Sequence, residues 1–488
     1  MGMLAKCDIL IIGAGAVGVG IARELSKFET DVLVVEKKDD VGGDATKSCS
    51  AMISTEFSVA PFTLESKICQ ASRPMYDLLC RDLDIPLVYR GSLTVALDEE
   101  QEKKIPAILK KAFDNGVYDV EYRRPEEVME MEPNITPTNR GAVYSPRDTQ
   151  INPFEFVIAQ AENAAENGVR FLFDCPVTGM ELAADGRIGK VLTPKGEIEA
   201  KYVINCAGLY CDDIAKMVGE CDFKVNPRRG QFYLLDKETP VKVNHIIMPI
   251  ATAKSRGTLI IPTVDGNILV GPTAEDYEDK TDKRTTREGL DLIASQAKTL
   301  VPDIRLGDTI TQFVGLRPAR TPEGYNILIS EKVPGYVGIS GIRSSGLTGS
   351  LGIAKYTIQM MREKLGLETV RKKGFIGKRR GIVRFSEATN AEREKLVAAD
   401  PLYGHIVCRC EQVTEAEIVQ AIRRPVGART VDAVKRRVRA GMGRCQGGFC
   451  TPLVIDILAR ETGVPASEIR KRDGASYMLA REDKGMKQ

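Results

Sequence analysis

The stretch "CDILIIGAGAVGVGIARELSK", residues 7–27, decides the fold class. Its apolar run reads as a buried strand; Gly13, Gly15 and Gly18 follow in G-x-G-x-x-G spacing, and helical periodicity takes over after them. Gly13 allows the tight bend, Gly15 lets the backbone approach a pyrophosphate, with Ala16 and Val17 in the same cradle, and Gly18 lets helix and strand pack closely. The start of the helix supplies the anion site. A second apolar run, "DVLVVEK", ends at Glu36, where a carboxylate can accept ribose hydroxyls and disfavours a 2′-phosphate; Lys37 is taken into the same site. The motif predicts a dinucleotide without distinguishing FAD from NAD.

At 488 residues the chain is too long for one ordinary core, so two or three domains are expected. Its 69 Lys and Arg against 67 Asp and Glu give no general reason to expect nucleic acid or an acidic membrane surface as partner. The longest uncharged apolar stretch, residues 9–22, falls short of the ~18 that suggest a spanning helix and is broken by glycines. No membrane span is expected, though peripheral association is left open. The twelve cysteines are read in a reducing compartment, where clustered ones are metal ligands or redox groups, so the chain is read as cytoplasmic.

Short apolar strands such as "YVINCAG" (202–208) alternate with helical stretches such as 154–167, which predicts α/β architecture through residue 365. The run "RKKGFIGKRRGIVR" (371–384) holds seven basic residues and no acidic one, so residues 366–402 are read as a solvated linker, the alternative being a docking strip for an acidic partner. Beyond it, Thr414 and Glu417 form a capping box, a second helix is predicted after Thr430, and a third after Cys450 with Thr451 as cap and Pro452 as first helical residue. Residues 403–488 thus read as a small helical domain, near the size at which a metal or cluster supplements the core.

That domain has its own chemistry. Cys408 and Cys410 stand one residue apart, and Cys445 and Cys450 answer them in "GMGRCQGGFC". The glycines let a loop close around a small inorganic core with backbone amides directed at sulfur, while Arg444 and "VKRRVR" would offset the charge of thiolates. A 2Fe-2S cluster, a structural zinc and unliganded cysteines are the three readings of this spacing.

Several motifs agree in order with one flavoprotein superfamily. "DTQINPFEF" (148–156), "YVINCAG", "PRRGQFY" (227–233), "IIPTVDGNILVGPT" (260–273), "GLRPARTPEG" (315–324) and "GISGIRSSGLTGSLGIAKY" (338–356), after the glycine fingerprint, resemble the D-amino-acid oxidase/glycerol-3-phosphate dehydrogenase superfamily over about the first 365 residues. The resemblance implies an FAD-binding Rossmann-like domain (about 1–85, 141–220 and 330–365) interleaved with an α+β substrate domain (about 86–140 and 221–329). It implies FAD held by the glycine cradle, Glu36 and Lys37, by Thr46, Lys47 and Ser48, by Val177, by Ala207 and Gly208, by Arg317, and by Gly346, Leu347 and Thr348. Residues 403–488 resemble the bacterioferritin-associated-ferredoxin type of 2Fe-2S domain, in the version fused to anaerobic glycerol-3-phosphate dehydrogenase A-type subunits.

For the substrate, the resemblance puts Arg317 as the grip on a carboxylate or phosphate and Arg343 as a weaker candidate. Relatives that oxidise glycerol 3-phosphate or 2-hydroxyglutarate usually carry a His where this chain has Ser54; of its two histidines, His245 is the candidate base. The reading is an FAD-dependent dehydrogenase of a small anionic substrate, best glycerol 3-phosphate, which passes electrons through a 2Fe-2S cluster to a second redox subunit, another acceptor protein or a quinone. Two alternatives stand beside it: an amino-acid, opine or L-2-hydroxy-acid dehydrogenase, and a flavin/iron-sulfur electron-transfer adaptor.

Overall fold

The computed structural model describes residues 2–251 and 257–480; the end of the predicted cluster domain, 481–488, lies outside the described residues. The strand Met3–Ile12 sits in the middle of an eight-stranded sheet, flanked in parallel by Val32–Val35 and Gly196–Asn205. Arg170–Leu172 and Tyr336–Ser340 extend the parallel set on either side, and Asn326–Ile329 closes one edge antiparallel. Residues 9–12 and all of Val32–Val35 are buried, as a sheet covered on both faces requires. The helices Ala16–Leu25, Pro153–Glu166 and Gly346–Leu365 pack together as part of that cover.

A nine-stranded mixed sheet forms the second layer system. Its spine is the antiparallel pair Lys224–Leu235 and Thr309–Thr321, continued through Ile268–Gly271, Leu259–Pro262, Ile246–Pro249, Ser92–Val95, Ala142–Ser145 and Glu121–Arg123. The chain crosses between the two sheets several times, so the expected α/β Rossmann-like unit interleaved with a second sheet domain is what forms. Gly315 shows how closely the two units meet: a Cβ there would lie 2.2 Å from the Ser48 carbonyl oxygen. Among the described residues no helix is long and apolar enough to cross a membrane.

Residues 366–402 are mostly exposed or half-buried but are tied to the rest of the chain at particular side chains. Arg379 is buried, its guanidinium 2.5 Å from Glu162 Oε2 and 3.0 Å from the Leu83 carbonyl oxygen, and Arg384 bonds Glu155 at 2.9 Å and Asp265 at 3.2 Å. Asn163 and Asn167 donate to the Ile376 carbonyl. Two of the seven basic residues, Arg379 and Arg384, therefore have acidic partners inside the molecule, among them carboxylates of helix Pro153–Glu166, which the sequence pattern alone could not place beside them.

The C-terminal unit packs the helices Glu415–Arg423, Val431–Val438 and Thr451–Thr462 around Val407, Ile418, Val434 and Leu458. The Thr414–Glu417 capping box forms and Thr430 caps the second helix. The third helix differs from expectation by one residue: Cys450 is its cap, because the Thr451 hydroxyl donates to the Gly447 carbonyl at 2.6 Å.

Candidate functional site

A cavity of about 870 Å³ opens where the carboxyl ends of the parallel strands face the second sheet. That is the upper end of the range of ligand pockets, about 300–1,000 Å³, and the position at which open α/β sheets bind nucleotides. Its walls include Gly13, Gly15, Ala16, Val17, Glu36, Lys37, Thr46, Ser48, Val177, Ala207, Gly208, Arg317, Arg343, Gly346 and Leu347. Gly18, Lys47, Thr348 and His245 are not in the lining.

Each of these four has a visible role elsewhere. A Cβ at Gly18 would sit 2.0 Å from the Gly13 carbonyl oxygen, so Gly18 permits the close packing behind the cradle. Lys47 is half-buried, and desolvation first, then Arg436 and Lys283, pushes its pKa down to about 8. The Thr348 hydroxyl accepts the Ser54 N–H at 3.1 Å, anchoring one wall. His245 Nδ1 lies 2.8 Å from Glu132 Oε1 and its ring packs edge-on against Tyr144, which leaves it away from the cavity.

The lining fits a dinucleotide residue by residue. A Cβ at Gly15 would meet only the Thr46 hydroxyl, at 3.5 Å, so the space it keeps open belongs to the cavity and not to the packing of the fold. Thr46 in turn accepts the Ala16 N–H at 3.1 Å, joining the start of helix Ala16–Leu25 to the turn Ala45–Ser48. Glu36 accepts from the Ala14 and Lys38 N–H groups at 2.8 and 2.9 Å; burial raises its pKa although both bonds oppose the shift. A carboxylate has about four acceptor positions, so two bonds leave capacity for ribose hydroxyls. At the far end, Gly346 and Leu347 begin a twenty-residue helix whose positive pole faces the lining.

Opposite that helix the lining is mixed. Phe232, Met248 and Leu259 supply an apolar wall. Arg317 donates to the Thr273 carbonyl at 2.6 Å and the Arg228 carbonyl at 3.3 Å, so its fork is oriented by the backbone of the neighbouring strand. Arg343 is paired with Glu323 at 3.0 Å. Sequence reading missed Glu56, Glu65 and Arg228, all part of the lining. Arg228 stands in the motif "PRRGQFY" and could have been found; the two glutamates had no motif to mark them.

The second centre is made by thiols that meet in twos. Cys410 Sγ lies 3.6 Å from Cys445 Sγ, and the Cys408 thiol hydrogen-bonds that of Cys450, a bond that draws the Cys408 pKa down. Cys408 and Cys450 are buried; the other pair is half-exposed. Among the described residues no three His, Cys, Asp or Glu side chains gather around one ion position. Two pairs suit a two-iron cluster, in which each iron takes two thiolates. Burial raises the Cys445 pKa, but N–H groups of Gly447, Phe449 and Gly448 and the Cys410 thiol outweigh it, and the net shift is downward. Gly443 packs so tightly that a Cβ would meet that of Cys410 at 2.4 Å, and Gly441 and Gly447 hold φ of +90° and +92°.

The two centres are joined by ion pairs. Asp40, four residues beyond Glu36, takes Arg437 in two bonds of 2.7 and 2.9 Å and Arg436 at 2.9 Å, all buried. Thr430 bonds Asp39 at 2.6 Å. The helix Val431–Val438 that carries these arginines leads into the Cys445 loop.

Comparison with known proteins agrees with both centres. Residues 8–360 match the model of the family described as FAD dependent oxidoreductase, and residues 406–460 that of the BFD-like [2Fe-2S] binding domain. A glycerol 3-phosphate dehydrogenase of Caloramator mitchellensis is 45% identical over 474 residues, 97% of this chain and 98% of that one. The A-type subunit of the anaerobic glycerol-3-phosphate dehydrogenase of Escherichia coli K12 is 24% identical over 496 residues, 93% and 88% of the two chains. The dithionite-reduced L-α-glycerophosphate oxidase of Mycoplasma pneumoniae, solved with FAD bound, superposes with a TM-score of 0.73 at 25% identity, covering 76% of this chain and 98% of that one.

Proposed function

The chain belongs to the FAD dependent oxidoreductase family and carries a BFD-like 2Fe-2S domain, and from that premise we propose that it oxidises a small anionic hydroxy compound, glycerol 3-phosphate foremost, and passes the electrons through the 2Fe-2S cluster to a protein or quinone acceptor. The observation that carries this reading is the joining, in one cavity, of the dinucleotide cradle with Arg317 and Arg343. Relatives that match over nearly the whole of this chain and are named for glycerol 3-phosphate support the choice of substrate. Within the same proposal, residues 1–365 form the oxidoreductase unit, 366–402 the connector and 403–488 the cluster domain, and the protein works in the cytoplasm with a second redox subunit.

FAD, when bound, supplies the hydride acceptor. Gly13, Gly15, Thr46 and Glu36 would hold its nucleotide half, and the start of helix Gly346–Leu365 its ring edge. Arg317, oriented by the Thr273 and Arg228 carbonyls, grips the anionic group of the substrate as a fork. Phe232, Met248 and Leu259 keep water from the reacting carbon. Cys408, Cys410, Cys445 and Cys450 would hold the cluster.

A second reading has one observation in its favour: no histidine is in the cavity lining, His245 being held by Glu132, and an amine oxidised as its neutral form needs no base. That would make the chain an amino-acid or opine dehydrogenase. Anaerobic titration of the purified protein with glycerol 3-phosphate, 2-hydroxy acids and amino acids separates the readings. Bleaching of the flavin by glycerol 3-phosphate is expected. Bleaching by an amino acid alone overturns it, and bleaching only by a reduced protein donor makes the chain an electron-transfer adaptor.

A further inference from the structure

Three neighbouring strands of the second sheet put three charges in one row. Arg228 of strand Lys224–Leu235 stands directly opposite Arg317 of strand Thr309–Thr321 on one side and Asp276 of the short strand Glu275–Asp276 on the other. Side chains alternate between the two faces of a strand, so Arg228, Gly230 and Phe232 share one face, and all three line the cavity together with Arg317. Arg229, on the opposite face, bonds Glu275 at 2.7 Å. The next pair on the cavity face is Gly230 with Gly315. A Cβ at Gly230 would lie 3.1 Å from Arg317 Nη2, and one at Gly315 would strike the Ser48 carbonyl of the nucleotide side. The arginine pair therefore stands about 7 Å along the strands from the wall shared with the flavin unit.

Like charges directly opposite in an antiparallel pair destabilise it, so this register calls for an anion. Asp276 supplies one: Arg228 Nε and Nη2 donate to its carboxylate at 2.8 and 3.1 Å. Arg228 first, and Arg317 after it, hold the Asp276 carboxyl below the usual carboxylate range, so this carboxylate feels both guanidinium groups. Its side chain is 71% exposed, and a pair so open to water is worth about 0–1 kcal/mol, little enough for an entering anion to exchange with it. Arg343, the third arginine of the lining, is matched by Glu323 at 3.0 Å.

We propose that Arg228 joins Arg317 in a two-guanidinium clamp that selects a phosphate monoester over a carboxylate, and that Asp276 is the counter-ion the phosphate displaces. This rests on the choice of a phosphorylated substrate above. A carboxylate offers two oxygens and one charge, which a single fork satisfies; a phosphate monoester offers three oxygens and up to two charges, which two forks match. As the phosphate enters, the Asp276 carboxylate turns to water and the Arg228 N–H groups pass to phosphate oxygens.

Two variants test it by anaerobic flavin bleaching, with FAD content measured in each. Arg228→Gln should raise KM for glycerol 3-phosphate about ten- to hundredfold, as loss of a charge-assisted pair does, with a smaller change in kcat. Asp276→Asn should lower KM, the opposite of what loss of a merely structural ion pair would do. A readout without turnover is the rise in unfolding midpoint of the FAD-loaded protein on adding inorganic phosphate. At equal ionic strength it should exceed the rise given by acetate in the parent, shrink to the acetate level in Arg228→Gln and grow in Asp276→Asn. An unchanged KM in Arg228→Gln, or a raised KM in Asp276→Asn, overturns the clamp while the substrate reading stands. If glycerol 3-phosphate fails to bleach the parent but phosphate still stabilises it through Arg228, the clamp stands and serves another phosphate ester; if neither effect is seen, both readings fall.

Discussion

The two cofactor centres are built in opposite ways. The flavin cavity draws on segments from Gly13 to Leu347, brought together by two interleaved sheets, whereas the cysteine centre uses two loops of one small domain. In the first, each residue contributes a small part and the glycines do most by what they leave empty. In the second, four thiols carry the whole site. The cavity should therefore tolerate most single changes while remaining sensitive to lost space, and the cysteine centre should fail outright on losing one ligand.

Gly15→Val is the sharpest test of the first half. Its Cβ meets only Thr46, so the protein should fold and keep its cluster but purify without flavin colour. Gly18→Val, with backbone at 2.0 Å, should instead fail to fold. A yellow Gly15→Val protein would break the comparison. Cys410→Ser is the counterpart: it should abolish the cluster's visible absorption and reduced-state paramagnetic signal while substrate still bleaches the flavin at a near-normal rate. Parent protein that contains zinc but no iron or acid-labile sulfide would remove the cluster assignment.

The junction comes next in size. Asp40→Ala leaves Arg436 and Arg437 buried without their counter-ion, which costs about 3–5 kcal/mol. The flavin should still bleach, but cluster reduction should slow and the 371–400 segment should become open to proteolysis; equal protection in variant and parent would show that the domains hold together without this pair. Arg436 and Arg437 outweigh burial and hold the Asp40 carboxyl down to about 2. This depressed value means that its contribution to stability is complete above the ordinary carboxylate range and is lost as pH falls through about 2. The smallest effect is Arg317→Lys. A point charge in place of the fork removes one charge-assisted bond, about 1.5–3 kcal/mol, and should raise KM roughly ten- to hundredfold with FAD retained. Unchanged KM would take Arg317 out of substrate binding.

How much was legible follows from range. The cradle, the capping box at Thr414 and the four cysteines could be read because their partners lie close along the chain or because spacing itself is the signal. Motif position points to Lys47 and Thr348 as cofactor-binding, yet neither is in the lining: Lys47 is half-buried near Arg436 and Thr348 ties down Ser54. His245 was attractive because histidine is scarce in this chain, but rarity along a sequence carries no direction in space, and Glu132 holds it elsewhere.

By itself the sequence determined the dinucleotide fold and the order of the two matched domains, and it singled out four cysteines as candidate ligands, because strand and helix periodicity and cysteine spacing are local properties. Tertiary structure alone decided what faces the cavity, what Arg379 and Arg384 of the basic run bind, and that Arg228 stands beside Arg317. Those outcomes depend on contacts such as Asp40 with Arg437 and Arg228 with Arg317, 397 and 89 residues apart in the chain. Only the closing of loops of that length brings such groups within a few ångströms, and no local pattern encodes the result.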